Sequence, residues 1–338
     1  MALFAKKLGI DLGTVNLLIY ERGQIVLQEP SLVALMVEEQ KIVEFGQPAR
    51  DMMGRVDEED IQIVRPLQNG VIADYEVTEA MLEYFMGRIA GRIRLFRPTV
   101  MISVPYGVTS VEKRAVHEAA LAAGARDVFL IWEPLAAAIG AGLPVATPAG
   151  DMVVNVGGGI TEAAVITMNN IIRAESGRVG GVRMDEAIAA YIRRKYNLSI
   201  GQATAEAAKI QIGAAVNQTE ELTMDVQGQD NVSGLPRTVT LTTGEVVEAL
   251  AEPLGQVAMV VKNVLAETPP ELASDIIDRG IVLTGGGALL RGLDEYLTKQ
   301  TGVPVYRADN PLITVATGAG RALEDAALLR RLVNQPNF

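Results

Sequence analysis

Apolar and polar positions alternate at the start of the chain, and residues 8–20 read as a strand, a glycine turn and a second strand. The turn is Asp11-Leu12-Gly13-Thr14. Further strand-like runs fall at 24–28 and 31–37. Over 76–92 the period lengthens, with Met81, Leu82, Phe85 and Ile89 recurring at helical spacing. Residues 100–104 are apolar enough for a buried strand. Thr109-Ser110-Val111-Glu112 is a capping-box sequence, so a helix starts there and should stop at Gly124. The apolar run 128–131 precedes Pro134, which suits the first turn of another helix. Strand, helix, strand, helix in this order predicts a parallel sheet with crossover helices.

A Pro/Ala/Gly stretch at 144–150 marks a hinge or domain boundary, and beyond it the opening pattern returns. Residues 153–156, a glycine turn and 162–168 repeat the strand–turn–strand. Helical periods follow at 184–195, 204–215 and 245–267, a β-ribbon at 221–242, a buried strand at 280–284 and a last helix at 314–330. Asp11-Leu-Gly-Thr-Val-Asn16 corresponds to Asn155-Val-Gly-Gly-Gly-Ile-Thr161. The chain therefore holds an internal repeat, weak in identity and clear in kind. Two similar halves suggest a ligand clamped between them.

The turns carry the candidate chemistry. Gly13 lets the backbone approach an anion, and Thr14 with its neighbouring N–H groups can donate to phosphate. Asp11, itself an anion, suits Mg²⁺ held through water. Taken alone, this turn reads equally well as a plain hairpin. Gly157-Gly158-Gly159 lies between two apolar strands, and Gly285-Gly286-Gly287 follows a buried strand and precedes a helical pattern, where free N–H groups would face an anion. Three such turns, two at matching places in a repeat, point to phosphate. Neither a Walker A loop nor a dinucleotide Gly-x-Gly-x-x-Gly turn occurs.

Composition narrows the field. Of the 338 residues 49% are apolar and only 4% aromatic, so the cores must be aliphatic. A net charge of −11 argues against nucleic acid as a partner. Without cysteine there is no disulfide or thiolate metal site, and with His117 as the single histidine a zinc site has no basis. No apolar run reaches the roughly 18–20 residues that span a bilayer.

Gly9-Ile-Asp-Leu-Gly-Thr-Val-Asn16 resembles the first phosphate motif of the actin superfamily. Glu29-Pro-Ser-Leu, Arg65-Pro66, Gly70-Val-Ile-Ala-Asp74, Val104-Pro105, Glu133-Pro-Leu-Ala-Ala-Ala-Ile-Gly140, Met184-Asp-Glu-Ala-Ile188, Leu283-Thr-Gly-Gly-Gly287 and Leu290-Arg-Gly-Leu293 resemble its bacterial MreB family, in order from about residue 9 to about 325. The resemblance implies an α/β actin-like ATPase fold, with two related domains, each a mixed sheet flanked by helices, and a nucleotide cleft between them. The implied divisions are 1–31, 67–143 and 316–338 (subdomain IA), 32–66 (IB), 144–182 and 247–315 (IIA) and 183–246 (IIB). It further implies ATP and Mg²⁺ as ligands, head-to-tail filaments of the chain itself, and a role in cell shape and wall synthesis on the inner face of the membrane, with wall-synthesis proteins as partners.

Carried over position by position, Asp11, Gly13, Thr14 and Asn16 match the first phosphate loop, and Asp11 the Mg²⁺ partner. Gly157, Gly158, Gly159 and Thr161 match the second loop, with Gly181 after it, and Gly285, Gly286 and Gly287 the adenosine motif. Glu206 and Lys209 match residues that approach ribose and base; three apart on a helix, they also read as a surface ion pair. Glu133 matches the acidic residue that orients the attacking water, or simply a Glu favoured at a helix N-terminus. Asn155 and Thr161 complete the catalytic set.

Three departures cluster at this site: Asn155 where the second motif normally has Asp, Trp132 where a Glu usually precedes Glu-Pro, and Val182-Arg183 in place of an acidic pair. Losing the Asp charge should hurt hydrolysis more than binding, so a slow ATPase, or a paralogue or adaptor that binds nucleotide without turnover, stands beside the filament reading. A small-molecule kinase of the same superfold is the remaining alternative. From Tyr84 to Val111 there is no acidic residue, and Arg88, Arg92, Arg94 and Arg97 surround Leu95-Phe96. In the resembling family this is a membrane-contacting loop, and the pattern suits an anionic lipid surface; the alternative is that both residues pack under the next strand. Leu3, Phe4 and Leu8 with Lys6 and Lys7 form a second candidate anchor.

Overall fold

The structure is a computed structural model and describes residues 6–90 and 97–333. β1 (Lys7–Leu12), β2 (Asn16–Glu21) and β3 (Gln24–Pro30) form an antiparallel meander. β4 (Val33–Met36), β5 (Lys41–Phe45) and β6 (Ile61–Val64) make a small sheet beside the short α1 (Gln47–Met52). The hairpin of β7 (Leu67–Gln68) and β8 (Val71–Ile72) leads into α2 (Tyr75–Ala90). β9 (Thr99–Val104), α3 (Ser110–Ala122), β10 (Asp127–Trp132) and α4 (Glu133–Gly140) follow. The first large sheet has the order β10-β9-β1-β2-β3, with β9 parallel to both neighbours. All six β9 residues are buried, which explains the unbroken apolar run. The Thr109–Glu112 capping box is formed in full.

The second half repeats this plan. β11 (Asp151–Val156), β12 (Thr161–Thr167) and β13 (Asn170–Gly177) are again an antiparallel meander. α5 (Gly181–Tyr196), β14 (Leu198–Ser199), α6 (Gln202–Ile212), β15 (Thr223–Asp230) and β16 (Pro236–Thr242) form a helix pair beside a three-stranded sheet. Then come α7 (Thr243–Ala249), α8 (Ala251–Ala266), α9 (Pro270–Arg279), β17 (Ile281–Thr284), α10 (Leu293–Thr301) and β18 (Val305–Arg307). The sheet order β13-β12-β11-β17-β18 reproduces that of the first half, element for element.

α11 (Thr314–Glu324) and α12 (Ala326–Val333) close the described chain. α11 packs against β1 and α4 at glycines: a Cβ on Gly9 would strike the Gly320 backbone, one on Gly140 the Thr314 carbonyl, and one on Gly318 the Ala136 carbonyl. Two expected helices are broken. The 245–267 pattern divides at Leu250: a capping box at Thr242 and Glu245 opens the first helix, and Pro253, with no N–H to give to the preceding turn, stands in the first turn of a second. The 314–330 pattern divides at Asp325, whose carboxylate accepts the amides of Ala327 and Leu328 and so caps α12.

Candidate functional site

A cavity of about 420 Å³ lies between the two halves. Asp11, Gly13, Thr14 and Asn16 reach it from the β1–β2 turn, Glu133 from the start of α4, and Asn155, Gly157, Gly158 and Gly159 from the β11–β12 turn. Gly181 at the head of α5, Glu206 and Lys209 on α6, and Gly285, Gly286 and Gly287 after β17 complete the wall. The structure thus brings together nearly every residue singled out from the sequence.

Glycine is required where these turns meet. A Cβ on Gly13 would lie 2.7 Å from the Asn16 carbonyl oxygen. One on Gly158 would overlap Val15, and one on Gly159 would lie 2.6 Å from Thr14 Oγ1, so the two matching loops face each other at contact distance. Gly285 has φ +83°, and its Cβ would come within 2.7 Å of Asn155 Oδ1. The Gly157 and Gly158 carbonyls accept the amides of Gly181 and Val182 at 3.0 and 2.9 Å, tying the second loop to the N-terminus of α5.

Thr161 falls outside the cavity. Its side chain is fully buried and its hydroxyl donates to the Val179 carbonyl at 2.7 Å, so it faces no ligand space here. Glu206 and Lys209 do not pair with each other: Glu206 meets Arg50 of α1, while Lys209 Nζ lies 2.7 Å from Asp185 and donates to the Gly181 carbonyl at 2.9 Å. Leu95 and Phe96 lie outside the described residues, as do Leu3 and Phe4. Of the flanking arginines, Arg88 is engaged by Glu29 at 2.7 Å. Leu8 is core, so it does not serve the second expected anchor, and Lys6 pairs with Glu21. Trp132 does not line the cavity; its ring packs on Tyr106, with centroids 5.3 Å apart, and Lys113 lies over it at 4.7 Å.

Buried carboxyl groups meet around Asp11 and Glu133. Burial pushes Asp11 up to about 7, against a hydroxyl contact from Ser103 at 3.4 Å. Burial, then the charges of Glu162 and Asp11, hold Glu133 well above the usual carboxylate range. Glu162, fully buried beside the cavity, is pushed to about 8, again chiefly by burial. Asn155 is the neutral member: its Nδ2 donates to Glu133 Oε1 at 2.7 Å and its Oδ1 accepts the Thr284 hydroxyl at 3.2 Å. Sequence reasoning missed Glu162, Asp185 and Arg50, and gave no function to Arg65. Arg50 and Arg65 line the cavity, and burial lowers Arg65 from its ordinary value.

Residues 5–331 match the family model described as MreB/Mbl protein. The chain is 49% identical over 328 residues to the cell shape-determining protein MreB of Escherichia coli (strain K12), covering 95% of this chain and 94% of that protein. It superposes on the crystal structure of MreB5 of Spiroplasma citri bound to ADP with a TM-score of 0.91, at 35% identity and covering 98% and 99% of the two chains. The same score and identity hold for MreB5 bound to AMPPNP. A MamK double helical filament shares the fold, with a TM-score of 0.80 at 21% identity over 95% of this chain and 99% of that one.

Proposed function

This chain belongs to the MreB/Mbl family, and we propose that it binds ATP with Mg²⁺ in the cleft, polymerises into filaments and takes part in determining cell shape. The carrying observation is the convergence of three glycine turns from a two-fold repeat on one cavity, with Glu133 in its wall. The MreB5 complexes with ADP and AMPPNP support nucleotide as the occupant. Backbone amides of the loops around Gly13 and Gly158 would hold phosphate oxygens, and Glu206 and Lys209 would approach the sugar. Among the described residues no cluster of three metal-ligating side chains occurs, but the donor chemistry fits Mg²⁺, which keeps its waters and needs one or two carboxylates besides phosphates. Asp11 would hold it through water, and the excess of buried carboxyls around Asp11 favours a cation there. When bound, Mg²⁺ supplies neutralisation of phosphate charge.

Hydrolysis would require Glu133 to orient or deprotonate water. Asn155 already occupies one of its oxygens, and an amide cannot accept a proton as a carboxylate does. That contact favours slow turnover, and keeps a nucleotide-dependent subunit without turnover as a second reading. Leu95 and Phe96 form the proposed membrane contact, supported by the absence of acidic residues from Tyr84 to Val111. No helix among the described residues is long and apolar enough to cross a membrane.

High-speed pelleting with Mg-ATP, Mg-ADP or no nucleotide, with electron microscopy of the pellets, tests the assignment. Nucleotide-dependent filaments are expected. A protein that stays in the supernatant in every condition, anionic liposomes included, would refute it. Leu95→Ala/Phe96→Ala should abolish co-sedimentation with anionic liposomes while leaving filaments intact; retained lipid binding would refute the membrane contact.

A further inference from the structure

Asn155 and Glu162 are direct partners across the β11–β12 ladder, so their side chains leave the same face of the sheet. Both cross into the first half. Asn155 donates to Glu133 at the start of α4, and Glu162 Oε1 accepts the backbone amide of Tyr106, just beyond β9, at 2.7 Å. β9 and β10 are parallel neighbours with Val104 opposite Trp132. The Tyr106 ring rests on Trp132, the residue immediately before Glu133. These contacts close a ring: Asn155, Glu133, Trp132, Tyr106, Glu162 and back across the strand pair. The Tyr106 amide is the one donor that the buried Glu162 carboxyl meets among the described residues.

We infer that Glu162 is a positioning residue for Glu133, acting through the Tyr106–Trp132 strap behind the cleft. Trp132 is the N-cap residue of α4, without a side-chain cap bond, so its backbone sets the direction in which Glu133 enters the cavity. Its ring is held from behind by Tyr106, and Glu162 anchors the Tyr106 backbone. Asn155 fixes the carboxyl end of Glu133; Glu162 fixes the backbone end. This strap places an aromatic wedge at position 132 and requires a hydrogen-bond acceptor, not a charge, at position 162.

The kinetic part of this inference rests on the proposed ATP chemistry; the structural part does not. Trp132 is the only tryptophan in the chain, so its emission reads the strap in ligand-free protein. Glu162→Ala should shift that emission. It should lower kcat for phosphate release about tenfold to a hundredfold, the scale for a reacting group displaced by about 1 Å, with KM for ATP within about threefold of the parent. Glu162→Gln, which keeps an acceptor oxygen for the Tyr106 amide, should return emission and kcat to within about threefold. Tyr106→Ala, at a half-buried position whose truncation spares the core, should reproduce the kcat loss, and the double variant should lose no more than the larger single. If Glu162→Ala does not fold, Tyr106→Ala and Glu162→Gln carry the comparison. Unchanged Trp132 emission in Glu162→Ala, KM rising in step with the fall in kcat, a Glu162→Gln variant as impaired as Glu162→Ala, or multiplying losses in the double variant would each overturn the inference. A parent protein that binds no nucleotide by calorimetry would instead overturn the proposed function, and the ligand-free emission comparison would still decide the strap.

Discussion

Replacing Asn155 with Asp removes the proton that now joins it to Glu133. The present contact is 2.7 Å long and lies at a residue with 1% exposure. Exchanging the amide donor for a second buried carboxyl, which must be kept protonated or left facing another anion, costs about 1–3 kcal/mol. Two carboxyls at that separation cannot both ionise, so the variant pair should share a proton. The ligand-free variant should therefore melt about 2–4 °C below the parent, the shift that about 2 kcal/mol produces in a cooperative unit of 338 residues. Its deficit should widen as pH rises, because a shared proton lifts the pair's upper pKa above that of the unfolded chain and must be given up at high pH. Mg²⁺ with nucleotide should narrow the deficit. Turnover should move the other way. With Glu133 released from the amide and a second carboxylate beside it, phosphate release should rise about tenfold or more, within the range general bases contribute. A continuous phosphate-release assay alongside nucleotide titration distinguishes the outcomes. Equal or slower release from a variant that still binds ATP would refute the argument that Asn155 restrains Glu133.

Other consequences are open to measurement. Asp11 and Glu162 titrate near 7 and 8 in the fold, against ordinary values of 3.8 and 4.5. Their protonated forms are favoured by folding, so that stability is present below the unfolded values and lost as pH rises through the folded ones. The Tm of ligand-free protein should fall between about pH 5 and pH 8, and a flat or rising profile would contradict the shifts. Gly159→Ala would push a methyl against Thr14 Oγ1 and, at 3.2 Å, against the Asn69 backbone; nucleotide affinity should drop at least about tenfold by calorimetry, a 1.4 kcal/mol change. Arg50→Ala breaks the tie between α1 and α6 over the cavity. The pair is partly exposed and worth at most about 1 kcal/mol, so a fluorescent nucleotide should dissociate no more than about fivefold faster in stopped flow. An unchanged rate would show that the pair does not restrain exit.

The repeat was legible because each half announces itself twice over, by a strand buried along its whole length and by glycines that no other residue can replace at the loop contacts. The cavity wall followed from those turns. Glu162 was not legible: an acidic residue in an apolar strand pattern reads as a solvent-facing position, and only the pairing with Asn155 and the Tyr106 amide gives it a buried role. Arg50 was missed because its partner is 156 residues away. The small strands β5, β6 and β18, three to five residues each, are too short to stand out by period. Trp132 departs from the family motif beside Glu133, yet β10 delivers it outside the cavity lining, against Tyr106.

The glycine-lined seat of α11 has a consequence for biosynthesis. The face of the first sheet that includes Met101 and Ile131 is completed by Val315, Ala319 and Leu323, from a helix made after the entire second half. At ordinary translation speeds, on the order of ten to forty seconds pass between synthesis of α4 and arrival of its partner. Through that interval the nascent first half presents an unfinished aliphatic surface to solvent or to holding factors. The two halves are thus not independent modules translated one after the other: the first becomes a finished body only when the second already exists to deliver its closing helix.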